Sequence, residues 1–151
     1  MTRTDLVRVR AIAPDDHPQW RRLFSAYRDF YRLTPDDEVV AQVWDWIIDP
    51  EHELHGIVAY YQADIVGIAH FRPFARPVSG TIGIWLDDLY TDPAARRQGV
   101  GEALIEHLRT EAKGAGASVV RWITASDNST AQALYDRLGA RTGWVTYDAT
   151  P

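Results

Sequence analysis

Apolar and polar positions alternate over residues 5–12, where Leu6, Val7, Val9 and Ile12 are interleaved with Arg8 and Arg10. That period predicts a first strand with one wet face. Pro14-Asp15-Asp16 then reads as a helix start, and Trp20, Leu23, Phe24, Tyr27 and Tyr31 follow at helical spacing. A second start signal, Thr34-Pro35-Asp36-Asp37-Glu38, opens a helix carrying Val39, Val40, Val43, Trp44, Ile47 and Ile48, which Asp49-Pro50 ends. Two strand-like runs, 54–62 and 65–74, are separated by Ala63-Asp64, the size of a tight hairpin connection.

Residues 81–91 predict a further strand, about 99–113 a helix stopped by Gly114 and Gly116, and Val119 to Thr124 a buried strand. Ser129 to Leu138 predicts a short helix and Gly143 to Tyr147 a last strand. The order is β-α-α-β-β-β-α-β-α-β. It implies one α/β domain over residues 1–151: a central mixed, mostly antiparallel sheet of about six or seven strands flanked by about four helices.

Between the strand at 81–91 and the helix after it lies Asp92-Pro93-Ala94-Ala95-Arg96-Arg97-Gln98-Gly99-Val100-Gly101. A strand, a basic glycine-bearing loop and a helix start in succession suit an anion, because unpaired N–H groups and the positive end of the helix dipole point out of the loop. The segment reads as a pyrophosphate cradle made of Arg96, Arg97, Gln98, Gly99, Val100, Gly101 and Glu102. It is not the dinucleotide fingerprint, since Leu104 stands where a third glycine belongs, and no Gly-Lys-Ser/Thr of a P-loop follows.

Arg96-x-x-Gly99-x-Gly101 resembles the acyl-coenzyme A signature of the GNAT N-acetyltransferase superfamily, Gln/Arg-x-x-Gly-x-Gly/Ala at a helix start. Downstream, Asn128-x-x-Ala131-x-x-Leu134-Tyr135-x-x-x-Gly139-Ala140 resembles that family's N-x-x-A-x-x-L-Y-x-x-x-G-F/A segment. Trp85-Leu86-Asp87-Asp88-Leu89-Tyr90 is similar to the Y-L-E-D-F-F run of its polyamine acetyltransferases. With Trp122 and the closing Thr142 to Tyr147, the chain looks like the subgroup typified by yeast histone and polyamine acetyltransferases. The resemblance implies the family's fold, in which the strand before the loop splays from the following parallel strand and coenzyme A lies in the opening. It also implies acetyl-CoA as acyl donor, and a homodimer built through C-terminal strands.

Composition bounds this reading more than it extends it. With no cysteine there is no disulfide, thiolate metal site or cysteine nucleophile, so an acyl group passes directly to the acceptor or uses another nucleophile. The net charge of −5 argues against a nucleic-acid partner, including charged tRNA. No apolar run approaches the roughly 20 residues of a membrane span, and MTRTDLVRVR lacks a signal-peptide core, so a cytoplasmic protein with no membrane partner is expected. His17, His52, His55, His70 and His107 are scattered, His52-Glu53-Leu54-His55 misses the H-E-x-x-H spacing, and no G-x-S-x-G elbow exists, so neither a metal nor serine chemistry is expected.

Amine acetylation poses three tasks. An alkylamine with a pKa near 10.4 is about 99.9% protonated at neutral pH, so its proton must first be removed. Asp87 and Asp88 are the candidate bases; by their residues alone they also read as a solvated acidic pair at a strand end. On a regular strand they face opposite ways, and at most one faces the cleft unless a bulge intervenes. The resemblance favours Asp87, with a water relay because aspartate is short. Tyr135 is the candidate acid for the departing thiolate, its phenol staying protonated at pH 7; a core aromatic beside Leu134 and Leu138 is the alternative. Developing charge on the carbonyl needs a donor, for which the backbone N–H of Leu89 or Tyr90 is suited, and the edge Leu89-Tyr90-Thr91 suits the pantetheine amides.

In the family the asparagine matching Asn128 contacts the pantetheine arm beside Ala131; Asn128 also reads as a helix cap. The acceptor, a small-molecule or peptide primary amine such as a polyamine or amino acid derivative, is expected against the first helices. There Tyr27, Phe30, Tyr31 and Trp44 read either as an aromatic wall suited to an ammonium group, with Tyr27, Tyr31 and Asp87 as its contacts, or for the most part as core residues of amphipathic helices. The alternative from another class is a catalytically silent acyl-CoA-binding regulatory domain that keeps the cradle.

Overall fold

The computed structural model describes residues 6–151; residue 5, the first of the predicted first strand, lies outside them. One sheet has the order β1 (Arg8–Ala11), β2 (His55–Tyr61), β3 (Asp64–Arg76), β4 (Thr81–Thr91), β5 (Val120–Arg121). The first three pairings are antiparallel and β4 with β5 is parallel. Between β1 and β2 run α1 (His17–Phe30) and α2 (Asp37–Ile48); α3 (Val100–Gly114) joins β4 to β5, and α4 (Ser129–Leu138) follows β5.

Local chemistry sets the helix starts. Asp36 caps α2 by accepting from the N–H groups of Glu38 and Val39 at 3.0 and 3.1 Å. Asp16, buried ahead of α1, accepts from Ala13 N–H at 2.8 Å and pairs with both terminal nitrogens of Arg10 on β1. The hairpin loop between β2 and β3 is Gln62-Ala63, one residue before the expected pair, because Tyr61 pairs with Asp64.

Both faces of the sheet are covered, which is why β2 and β3 read as continuous apolar runs. On one face Trp20, Leu23 and Phe24 of α1 and Val40 of α2 pack against Val58, Ile65, Ile68 and Tyr90. On the other, Val100, Leu104, Ile105, Leu108 and Ala112 of α3 pack against Ile57, Ala59, Val66, Ala69, Phe71, Ile84 and Leu86.

Two differences from the predicted architecture stand out. The sheet has five strands among the described residues, fewer than the six or seven expected. Gly143 to Tyr147 forms no strand: Trp144 and Tyr147 are 85% and 90% exposed. An alternating apolar stretch becomes a strand only beside an edge that accepts its hydrogen bonds. β5 offers little edge, since it is two residues long and stops before Trp122, short of the predicted 119–124.

Candidate functional site

The short β5 opens the sheet. β4 pairs with it only at Ile84 with Val120 and Trp85 with Arg121, so among the described residues Leu86 to Thr91 have no strand on that side. The Asp92 N–H donates to Val66 on β3 at 2.8 Å. By strand alternation the N–H of Tyr90 also points to β3, while those of Leu89 and Thr91 point into the gap. Of Leu89 and Tyr90, the two expected carbonyl donors, Leu89 is the one whose N–H faces the gap.

A bulge decides where the two acids go. His70 on β3 is opposite Asp88, but the next residue, Phe71, is opposite Leu86, so Asp87 is the extra residue of β4. Arg72 lies on the same face of β3 as His70, and its Nε donates to Asp87 at 3.1 and 3.3 Å. Both carboxylates therefore face the α1 side.

Their surroundings differ. Asp87 lines a small cavity with Tyr27, Tyr31, Leu86, Leu89, Trp122, Ile123, Thr124 and Tyr135. Burial pushes its carboxyl above the usual range, and the Arg72 guanidinium only partly offsets this. Asp88 instead closes a chain of buried polar groups. The Trp20 indole N–H donates to Nε2 of His70 at 2.9 Å, and His70 Nδ1 meets Asp88 at 2.9 Å. Because an indole N–H only donates, Nε2 must carry the lone pair and the Nδ1–H donates to Asp88. Burial alone raises the Asp88 carboxyl, but the donors from His70 and Tyr27 hold it below the usual range. The adjacent acids are thus shifted in opposite directions by their surroundings.

Tyr135 reaches the cavity from α4, its ring edge-on to Trp122 at 5.4 Å. Burial, with a contribution from Tyr31, pushes its phenol up to about 12. Tyr27 and Tyr31 meet edge to face at 5.0 Å, and burial raises both phenols. Of the expected aromatic wall, these two reach the cavity. Trp44 instead packs tilted against Trp20 and edge-on to His17, and Phe30 is 53% exposed. Trp122 enters the sequence reading only through the subgroup resemblance, and Thr124, His70 and Arg72 are not singled out there, since nothing local distinguishes them; the register of β3 on β4 and the splay of β5 bring them in.

The loop before α3 matches an anion site. Gly99, the N-cap, is left-handed (φ 74°), and no side chain caps the helix, leaving its first N–H groups for a ligand. Arg96 and Arg97 are exposed beside it, Arg97 also left-handed at φ 64°. The Gln98 Oε1 is buried without a partner among the described residues, and Glu102 pairs with Arg137 at 3.3 Å. Gly101 has a different use: a Cβ there would sit 3.3 Å from Leu134, so this glycine lets α4 pack onto α3. Asn128 caps α4 by accepting from Ala131 N–H at 3.4 Å while its amide donates to Thr124. These residues fit a pyrophosphate and the arm leading from it into the gap. A larger cavity, lined by Ile12, Ile47, His55, Gly56, Phe71 and Glu111, lies away from both acids and the loop. Among the described residues no group of three or more metal-ligating side chains occurs, and no helix is long and apolar enough to cross a membrane.

A family model described as "Acetyltransferase (GNAT) family" matches residues 19–140. The D-amino-acid N-acetyltransferase HPA3 of Saccharomyces cerevisiae is 32% identical over 145 residues, covering 95% of this chain and 90% of that protein. An uncharacterised N-acetyltransferase, YhfO of Bacillus subtilis, is 28% identical over 141 residues, covering 92% and 94%. Among solved structures, a ribosomal-protein-alanine N-acetyltransferase from Brucella melitensis biovar Abortus 2308 superposes with a TM-score of 0.80 at 20% identity, covering 95% and 98%, a likeness of fold alone. The chain belongs to the GNAT acetyltransferase family and is a GNAT-type acyltransferase.

Proposed function

We propose that this GNAT acetyltransferase uses acetyl-CoA to acetylate a primary amine by direct transfer, with Asp87 as base and Tyr135 as acid. The observation that carries the proposal is the convergence of Asp87, Tyr135 and the free Leu89 N–H on one cavity, at the mouth of the gap between β4 and β5. Acetyl-CoA supplies the thioester; Arg96, Arg97, Gln98 and the N–H groups of Val100, Gly101 and Glu102 hold its phosphates, while Leu89, Thr91, Asn128 and Ala131 border its arm. Asp87, directly or through one water, takes a proton from the acceptor ammonium. The amine nitrogen then bonds to the acetyl carbon, Leu89 N–H stabilises the oxyanion, and the C–S bond breaks as the Tyr135 hydroxyl protonates the leaving sulfur; the second proton lost from the nitrogen passes through water to the Tyr135 phenolate, and Asp87 returns its proton to solvent.

Asp88 has a supporting part. Held by His70, it orients the Tyr27 hydroxyl, and Tyr27 and Tyr31 form the acceptor wall. The relative HPA3 is named for D-amino acids, which places amino acids of both hands in the acceptor set to be tried. We further propose a cytoplasmic homodimer that covers the exposed Ile123, Trp144, Val145 and Tyr147.

The test is thiol release from acetyl-CoA against a panel of amines, polyamines and D- and L-amino acids. Tyr135→Phe is expected to lower kcat by about 10²-fold while leaving coenzyme affinity within about twofold, a change under roughly 0.5 kcal/mol. An unchanged kcat removes the acid role. Tight coenzyme binding with no turnover of any acceptor points instead to a silent acyl-CoA-binding domain.

A further inference from the structure

The face of the sheet that carries His70 and Asp88 continues past the end of α1. In register across β3, β4 and β5 stand Arg72, Trp85 and Arg121, with Phe74 next along β3. Arg72 lies over the Trp85 ring at 5.9 Å and Arg121 over Phe74 at 5.6 Å, and the two rings meet edge to face at 5.7 Å. All four side chains are half-buried. Asp87, beside the cavity, is the carboxylate that answers this row.

The way Arg72 is held is informative. It uses Nε alone on Asp87, and among the described residues Nη1 and Nη2 have no hydrogen-bond partner. Its side chain is 36% exposed and that of Asp87 25%. A guanidinium held at Nε and lying over an indole leaves its outer fork open, which is the geometry that takes a carboxylate in two parallel hydrogen bonds.

We infer that the acceptor is an amino acid with its carboxylate next to the reacting amine, and that Arg72 is the specificity-determining residue that binds this carboxylate. The inference rests on the acetyltransferase reading above and names its substrate class. The acceptor enters an existing ion pair: its ammonium faces Asp87, which removes the proton, and its carboxylate faces the open fork of Arg72. One ion pair becomes two, and no charge is left unanswered. A polyamine would bring a second cation against Arg72 and Arg121, where, among the described residues, Asp87 pairs with Arg72 alone. The Phe74 and Trp85 rings provide apolar surface for the acceptor side chain.

The experiment uses the full chain with acetyl-CoA and matched pairs of acceptors, an α-amino acid and its α-amide, in both hands, beside a polyamine. Wild-type protein is expected to favour the acid over the amide by about tenfold or more in kcat/KM, the scale of a charge-assisted hydrogen bond. Arg72→Gln is expected to raise KM for the acid by about 10- to 100-fold and to bring the acid-to-amide ratio close to one; Arg72→Lys retains part of the preference. Because Arg72 also touches Asp87, its loss shifts the pH profile for acid and amide alike. The ratio cancels that shared effect. A ratio unchanged in Arg72→Gln, or a wild-type preference for the amide or the polyamine, overturns the inference while leaving the acetyltransferase reading in place. If no acceptor is turned over although acetyl-CoA binds, the acetyltransferase reading fails and the inference falls with it. Coenzyme affinity in each variant reports that the protein is folded.

Discussion

Exchanging Asp87 for asparagine tests the assignment of the base. The substitution keeps shape and removes charge and basicity. A positioned base contributes about 10²- to 10⁴-fold, so kcat/KM for the best acceptor is expected to fall by that factor, roughly 3 to 5 kcal/mol of transition-state stabilisation. The pH profile carries the sign. Burial raises the Asp87 carboxyl above its ordinary 3.8, and the base works only when ionised, so wild-type activity is lost as pH falls through a value above 3.8. Asp87→Asn should lack that acid limb.

Stability should change little, by about 1 kcal/mol or less, because burial already disfavours the ionised Asp87 and the asparagine oxygen can still accept from Arg72 Nε. Asp88→Asn is the control. Its side-chain oxygen still accepts from His70, so less than about a tenfold loss is expected, below what a base supplies, with the acid limb retained. The assay is steady-state thiol release across pH, with urea unfolding alongside. A wild-type rate and acid limb in Asp87→Asn, or loss of the limb in Asp88→Asn instead, refutes the assignment.

Gly99→Ala forces a side chain into a left-handed N-cap (φ 74°); a cost of about 1–2 kcal/mol in urea unfolding and weaker acetyl-CoA binding by titration are expected. In Gly67→Ala the new Cβ would lie 2.5 Å from Val100 in the first turn of α3 and 3.2 Å from the Tyr90 carbonyl, so overpacking should cost about 1–3 kcal/mol by the same measurement. Asp16→Asn removes the Arg10 pair. The Arg10 hydrogen bond leads in holding the Asp16 carboxyl below 3.8, so its stabilisation is present above 3.8 and lost as pH falls through the lower native value. The variant should be about 1–3 kcal/mol less stable at pH 7, the gap closing in acid unfolding curves.

What the sequence makes legible is what local chemistry controls. Asp36, Asp49-Pro50 and the paired periodicities mark element ends because caps and prolines act within a few residues of themselves. The Arg96-x-x-Gly99-x-Gly101 loop is legible for the same reason, although Gly101 turns out to serve helix packing against Leu134. Gly143 to Tyr147 misleads because a strand depends on a neighbour, and the residues that deny it one lie in the short β5. His70 looks like any of five histidines until Trp20, 50 residues earlier, and Asp88, 18 later, enclose it.

The different placement of Asp87 and Asp88 shows the limit most directly. On a regular β4 the two would face opposite sides, and Asp87 would turn away from Arg72. Skipping one residue between the His70–Asp88 and Phe71–Leu86 pairs puts both on one face and at different depths: Asp88 beneath α1 among fixed donors, Asp87 at the cavity beside a guanidinium. The raised carboxyl that suits a base and the open Arg72 fork that suits a carboxylate are thus consequences of the same bulge. An acceptor whose amine and carboxylate are adjacent matches the adjacency of Asp87 and Arg72, so in the proposed reaction register, rather than residue type alone, would set both the base and the acceptor's shape.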